Sequence, residues 1–210
     1  MHFAELDAVT VDGYGTLVQL VDPVPSLVCS LADRGVDRAP ELVRSAFAAE
    51  VAYYRPEALR GRDSDSLALL RRDCTHVFLD AAGAGLEPES FVGDFMASIR
   101  FEAITGAIET LEGLRRRGIA LAVVSNWDVG LAEHLERIGA DRLFSAVVTS
   151  AEAGAAKPDP AAFRLALERL EVGPARAIHV GDENEDERGA AAAGMRFAPA
   201  PLATAFAGWS

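Results

Sequence analysis

Residues 8–17 read AVTVDGYGTL. Ala8-Val9-Thr10-Val11 is a short strand-like run, and Asp12-Gly13 stops it with turn chemistry. The same grammar recurs downstream. Residues 119–124 (IALAVV) end at Ser125-Asn126, residues 146–149 (AVVT) run into a loop, and residues 177–180 (AIHV) end at Gly181-Asp182. Residues 195–198 are a fifth candidate strand. Between these runs apolar residues fall three and four apart, as in Ile108, Leu111 and Leu114, then Leu131, Leu135 and Ile138, then Phe163, Leu167 and Leu170. That is the period of a helix with one buried face. Gly118, Gly139, Gly173 and Gly194 follow the helical runs, where left-handed caps are expected. Strand alternating with helix implies a parallel sheet covered on both faces, hence an α/β, Rossmann-like core.

From about residue 20 to residue 100 the grammar changes. No strand is expected there, only amphipathic helices at about 25–34, 40–54, 64–81 and 88–99. Such a stretch is too long for a simple crossover between two strands. It reads as an all-helical cap inserted into the core. The expected division is a Rossmann-like core at 1–18 and 101–210, with the cap at 19–100.

Composition narrows the function. Half of the 210 residues are apolar, enough for a substantial core, and 32 acidic residues against 20 Lys plus Arg leave a charge of −12. Nucleic acid is not an expected partner, because the phosphate backbone would be repelled. Arg115-Arg116-Arg117 ends a helix, where cations suit the dipole. Cys29 and Cys74 are too few for a disulfide scaffold or a thiolate metal site. The N-terminal residues do not read as a signal peptide, and no run approaches the roughly 18 to 20 apolar residues of a membrane span. A soluble, cytoplasmic protein without a membrane partner is expected; oligomeric state is not legible.

In open parallel sheets, ligands sit beyond the carboxyl ends of the strands. Asp12, Ser125-Asn126 and Asp182 all fall at that edge, and Lys157-Pro158 follows the third strand within one loop. Two carboxylates, a hydroxyl, an amide and an ammonium are thereby expected to converge. These elements resemble the haloacid dehalogenase superfamily of hydrolases. Asp12-Gly13-Tyr14-Gly15-Thr16-Leu17 matches the family's Asp-x-Asp-Gly-Thr-Leu except at Tyr14. Ser125-Asn126 stands as the second motif, Lys157 in AAKPDPAAF as the third, and Gly181-Asp182-Glu183-Asn184-Glu185-Asp186 as the Gly-Asp-x-x-x-Asp fourth.

The resemblance implies roles. Asp12 would be the nucleophile, forming an aspartyl phosphate in the phosphatase branch of the family. Nucleophile and phosphate are both anions, and Mg²⁺ suits the oxygen-only set of Asp12, the Tyr14 carbonyl, Asp182 and Asp186. Ser125 and Lys157 would be catalytic, holding the transferring phosphoryl oxygens. Thr16, Asn126, Tyr14 and Arg44 would contact a small phosphorylated substrate. Each residue also has a structural reading: Asp12 as a turn residue, Asp182 and Asp186 as helix-terminus acids, Ser125 as a turn cap, Lys157 and Arg44 as solvated surface. His179 reads as a hydrogen-bonded sheet residue and His134 as exposed. Trp127 either lines the entrance or packs, Asp128 reads as the N-cap of the following helix, and Asp159-Pro160 as an N-cap followed by proline at the first helical position.

Tyr14 stands where the family's phosphatases carry their general acid. A phenol with a pKa near 10 is a poor proton shuttle at neutral pH, and losing such help costs about 10²- to 10⁴-fold. Tyrosine at this place also resembles the metal-free 2-haloacid dehalogenases, where displaced halide needs no acid and Arg44 would bind halide or carboxylate. The fourth motif decides for the phosphatase, because Asp182 in so acidic a loop calls for a cation beside Asp12. A catalytically weak member that binds a phosphorylated ligand or a protein is the remaining alternative.

Overall fold

In the computed structural model, which describes residues 3–209, Ala8–Val11 (β1) is the central strand of a five-stranded parallel sheet. Val18–Leu20 (β2) and Phe101–Ala103 (β3) pair with each other in a separate two-stranded sheet. Ala120–Ser125 (β4), Ala146–Thr149 (β5), Ala177–Gly181 (β6) and Arg196–Pro199 (β7) complete the large sheet, in the order β5-β4-β1-β6-β7. In that register Val9 lies beside Leu121 on one side and Ile178 on the other. Strands β1 and β6 are buried at every position. Helices cover both faces, so these strands read as continuous apolar runs rather than alternating ones. The α/β, Rossmann-like core is therefore the observed fold.

The described chain divides into two units, one running to Gln19 and again from Phe101 onward, the other Leu20–Arg100. The second unit holds helices Val24–Asp33 (α1), Pro40–Glu57 (α2), Ser64–Ala81 (α3) and Pro88–Ser98 (α4). Asp63 starts α3 in a reciprocal capping box: its carboxylate accepts from the Ser66 amide, while the Ser66 hydroxyl accepts from the Asp63 amide. Leu27, Leu31, Leu70, Phe78, Phe91 and Phe95 fill the interior of this unit without exposure. The Phe78 ring stacks on Phe91 with centroids 6.2 Å apart and tilts against Phe95 at 5.1 Å. Each such side chain stabilises the unit by about 1.5–3 kcal/mol through burial alone.

Helices Ala107–Arg116 (α5), Leu131–Arg137 (α6), Ser150–Ala153 (α7), Ala161–Leu170 (α8), Asn184–Ala192 (α9) and Leu202–Ala205 (α10) belong to the first unit. Phe163 and Leu167 of α8 pack on Ala122, Val124 and Val148 of the sheet. No helix among the described residues is long and apolar enough to cross a membrane.

Several local expectations are corrected. Gly118, Gly139 and Gly194 adopt the left-handed conformation, but Gly173 has a φ of −71° and Glu171 turns left-handed in its place, at +55°. Helix α8 has already ended at Leu170, so the reversal comes two residues before the glycine. His134 is buried at 5% exposure, its ring against Phe101 at 4.8 Å and Trp127 at 5.8 Å. Those two rings seal off an imidazole that the sequence reads as exposed. Trp127 packs in that cluster. Gly130 takes the N-cap of α6, with Asp128 Oδ1 accepting from the Gly130 amide at 2.7 Å. Pro160 likewise occupies the N-cap of α8, so the cap falls one residue later than expected, and Asp159 accepts from the Ala161 amide.

Candidate active site

Strand β1 ends at Val11, and the Asp12 amide donates to the Val180 carbonyl of β6 at 2.9 Å. One further residue of sheet geometry thus carries Asp12 to the carboxyl edge, level with the ends of β4 and β6. Ser125, the last residue of β4, donates its hydroxyl to Asp12 Oδ1 at 3.3 Å. Lys157 reaches the same oxygen from the loop between α7 and α8, its Nζ at 2.5 Å. The ammonium also donates to Asp186 Oδ1 at 2.5 Å and to the Val124 carbonyl at 3.2 Å. Its three protons therefore have three acceptors.

Asn126 holds the Lys157 backbone from both sides. Its side-chain oxygen accepts from the Lys157 amide at 2.7 Å, and its nitrogen donates to the Lys157 carbonyl at 3.2 Å. The same nitrogen donates to Glu185. Thr16 is fully buried and donates to Asp182 Oδ1 at 3.0 Å. In each case the polar atoms expected to meet substrate also brace another residue of the site. Tyr14 is 47% exposed, with its ring edge-on to Phe101 at 6.4 Å. Arg44 lies on α2 of the helical unit, exposed and ion-paired with Asp22 at 3.2 Å.

Asp186 sits at the third position of α9, where a carboxylate is favoured by the helix dipole. Its Oδ2 accepts from the Glu183 amide at 3.1 Å, leaving Oδ1 for Lys157 and for His179 Nε2 at 3.0 Å. On the opposite side of the imidazole, Nδ1 lies 2.8 Å from the Thr10 hydroxyl. Two glycines make this crowding feasible. A methyl group at Gly181 would lie 2.3 Å from Asp186 Cγ, and one at Gly15 would lie 2.3 Å from Asp182 Oδ2. Gly15 also has a φ of +87°, so both its conformation and its surroundings demand glycine.

Charge is unequal across this cluster. Burial pushes the Asp12 carboxyl up to about 6; Lys157 pulls it down, while Asp186 and Asp182 push it up as like charges. Burial also raises Asp186, but the hydrogen bond from His179 and the Lys157 ammonium hold it down at about 2. Against its own desolvation, Lys157 is kept above the usual lysine range by the two carboxylates. Burial drives the His179 imidazole down to about 4.

Carboxylate oxygens of Asp12, Asp182 and Asp186 all lie within 4.8 Å of one another. Three carboxylates face one ammonium, and the donors are all hard oxygens, with Asp182 open to solvent. That donor set fits Mg²⁺, whose charge would also draw the Asp12 carboxyl back down. Among the residues named from sequence, Asp12, Thr16, Ser125, Asn126, Lys157, Asp182 and Asp186 come together. Thr10 and His179 were missed as members of the network. Their signal was faint: two polar residues inside strands that are otherwise apolar, which must be partnered if buried.

A profile of haloacid dehalogenase-like hydrolases matches residues 6–194. Haloacid dehalogenase-like hydrolase domain-containing protein 3 of Bos taurus is 42% identical over 117 residues, which are 55% of this chain and 47% of that protein. The match therefore spans about half the length of that relative. A phosphoserine phosphatase from Thermus thermophilus is 46% identical over 84 residues, 39% of this chain and 34% of the phosphatase. Among solved structures, a 2-haloacid dehalogenase from Pseudomonas syringae superposes with a TM-score of 0.62 at 26% identity, over 91% of this chain and 85% of that one.

Proposed function

The chain belongs to the haloacid dehalogenase-like hydrolases, and from that premise we propose that it is a Mg²⁺-dependent phosphohydrolase of small phosphorylated metabolites, working through an aspartyl-phosphate intermediate on Asp12. The observation that carries this reading is the gathering of Asp12, Asp182 and Asp186 within 4.8 Å, with Lys157 between two of them. Asp12, Asp182 and Asp186, with the Tyr14 carbonyl, would hold Mg²⁺, which when bound supplies the positive charge that lets an anionic nucleophile meet an anionic phosphate.

A carboxylate oxygen of Asp12 attacks phosphorus, the bond to the leaving oxygen breaks, and the phosphoryl group passes to Asp12. Water then attacks the acyl phosphate and releases inorganic phosphate, restoring the carboxylate. Lys157 and Ser125 hold the phosphoryl oxygens as charge develops on them. Lys157 is positioned for this by Asp186, the Val124 carbonyl and Asn126, and the N–H it directs at Asp12 turns to the incoming phosphoryl oxygen. Residues 19–100 are assigned the role of a cap that selects substrate and limits water. Tyr14 does not replace the missing general acid, so substrates whose leaving group departs without a proton, such as acyl or aryl phosphates, are the favoured class.

Phosphate release from an activated aryl phosphate, with Mg²⁺ and with EDTA, tests the reading. Asp12→Asn is expected to lower the rate by about 10⁴-fold or more while leaving the fold intact. Retained activity in that variant sinks the covalent mechanism. Tyr14 and the likeness to a 2-haloacid dehalogenase support a second reading, displacement of halide from a 2-haloacid. Chloride release that persists in EDTA would establish it instead. A ligand-induced rise in melting temperature without turnover would mark a binding protein.

A further inference from the structure

Thr10 and His179 lie directly opposite each other in the register of β1 and β6, two residues upstream of Asp12 and three upstream of Asp182. Both are fully buried. A position covered on both faces of a parallel sheet is cheapest to fill with an apolar side chain, since an imidazole there must have both nitrogens partnered. Both are partnered here, at 2.8 Å to Thr10 and 3.0 Å to Asp186. An ionised carboxylate only accepts, so Nε2 carries the proton and donates it to Asp186 Oδ1. Phe163 packs edge-on against the imidazole at 4.9 Å and holds its plane. The oxygen that His179 fixes is the one that takes the Lys157 ammonium at 2.5 Å.

We propose that Thr10 and His179 form a buried positioning pair, which fixes Asp186 Oδ1 so that the Lys157 ammonium is shared between Asp186 and Asp12. Without that anchor the Glu183 amide holds only Oδ2, Oδ1 is less firmly placed, and Lys157 shifts its pairing toward Asp12, which ties up the oxygen needed for attack. The pair touches no reacting atom and acts through Asp186. Its kinetic readout rests on the phosphohydrolase reading; its metal readout does not.

The test compares His179→Gln, whose amide donates from nearly the same place, with His179→Leu, which fills the space and donates nothing. Thr10→Ser and Thr10→Val make the same comparison at the other end. Each full-length protein is assayed for aryl phosphate hydrolysis and, separately, for binding of Mg²⁺ alone by calorimetry. His179→Leu is expected to lose about 10- to 100-fold in kcat with little change in KM, and to bind Mg²⁺ more weakly by a similar factor. His179→Gln and Thr10→Ser are expected to stay within about threefold of the parent on both measures, with Thr10→Val between the extremes.

Equal losses in the donating and non-donating variants would reduce the pair to packing and overturn the proposal. Undiminished kcat and Mg²⁺ affinity in His179→Leu would do the same. Should His179→Leu fail to fold, the Thr10 variants decide. If the parent binds Mg²⁺ but shows no Asp12-dependent phosphate release, the phosphohydrolase reading fails while the Mg²⁺ series still judges the pair. If the parent does neither, the pair has nothing to position and the proposal falls.

Discussion

Two interiors in this protein are equally well buried and differently composed. At the sheet edge, Asp12, Lys157, His179 and Asp186 are each 6% exposed or less, and their polar groups are joined in a connected hydrogen-bond network. In the helical unit, Phe78, Phe91, Phe95 and their leucine neighbours form an apolar core. One acid is buried among the helices: Glu50 on α2, 5% exposed, hydrogen-bonded to the Cys74 thiol. The difference teaches where charge is tolerated for a purpose. Acids at the sheet edge are arranged around an ammonium, whereas Glu50 is pushed up by burial to about 7, with Cys74 opposing it in part.

Restoring an acid at the sheet edge should give the largest gain in turnover. Tyr14→Asp supplies the proton that the leaving group lacks, and on an unactivated phosphomonoester it is expected to raise kcat by about 10²-fold or more. On an aryl phosphate the gain should be small. Steady-state kinetics on the two substrates check this; equal gains, or none, would mean that proton donation does not limit the parent.

Emptying the apolar interior comes next. Phe78→Ala removes a fully buried ring that meets Phe91 and Phe95, and is expected to cost about 3–5 kcal/mol. Urea denaturation measures it. A cost below about 1 kcal/mol would show a core that collapses around the gap.

Glu50→Gln gives the smallest effect and the clearest pH signature. The ordinary glutamate value is 4.5, and in the folded protein Glu50 stands at about 7. Between those values the folded chain keeps a proton that the unfolded chain has released. Stability from this group is therefore intact at low pH and falls as pH rises through that window, by about 3 kcal/mol in all. Glu50→Gln should remove the fall, so parent and variant should differ more at about pH 8 than at about pH 5. A constant difference in urea midpoints across that range would place the Glu50 charge in contact with solvent.

Legibility in the sequence follows the same division. The large sheet was readable because its strands are continuous runs of apolar residues with polar stops, and the four helices of the second unit because their period is long and uninterrupted. Strands β2 and β3 were not, since Val18-Gln19-Leu20 and Phe101-Glu102-Ala103 are too short to show any period. The charged site residues stood out because each follows directly from the end of a strand or lies in the loop after one. Thr10 and His179 are 169 positions apart, and only strand register joins them. His134 was misread for a related reason: the rings that bury it come from Phe101 and Trp127, on separate parts of the chain.

Lys157 is the only lysine among the 210 residues; every other long-chain cation is arginine. It is 6% exposed, with all three of its protons engaged. Amine-directed acylation needs a free, neutral amine, so a reagent that decorates most proteins at several surface lysines finds no exposed lysine here. Any acyl group found on Lys157 would report that the ammonium had left both carboxylates. A single mass shift on one tryptic peptide then becomes a clock for the opening of the site.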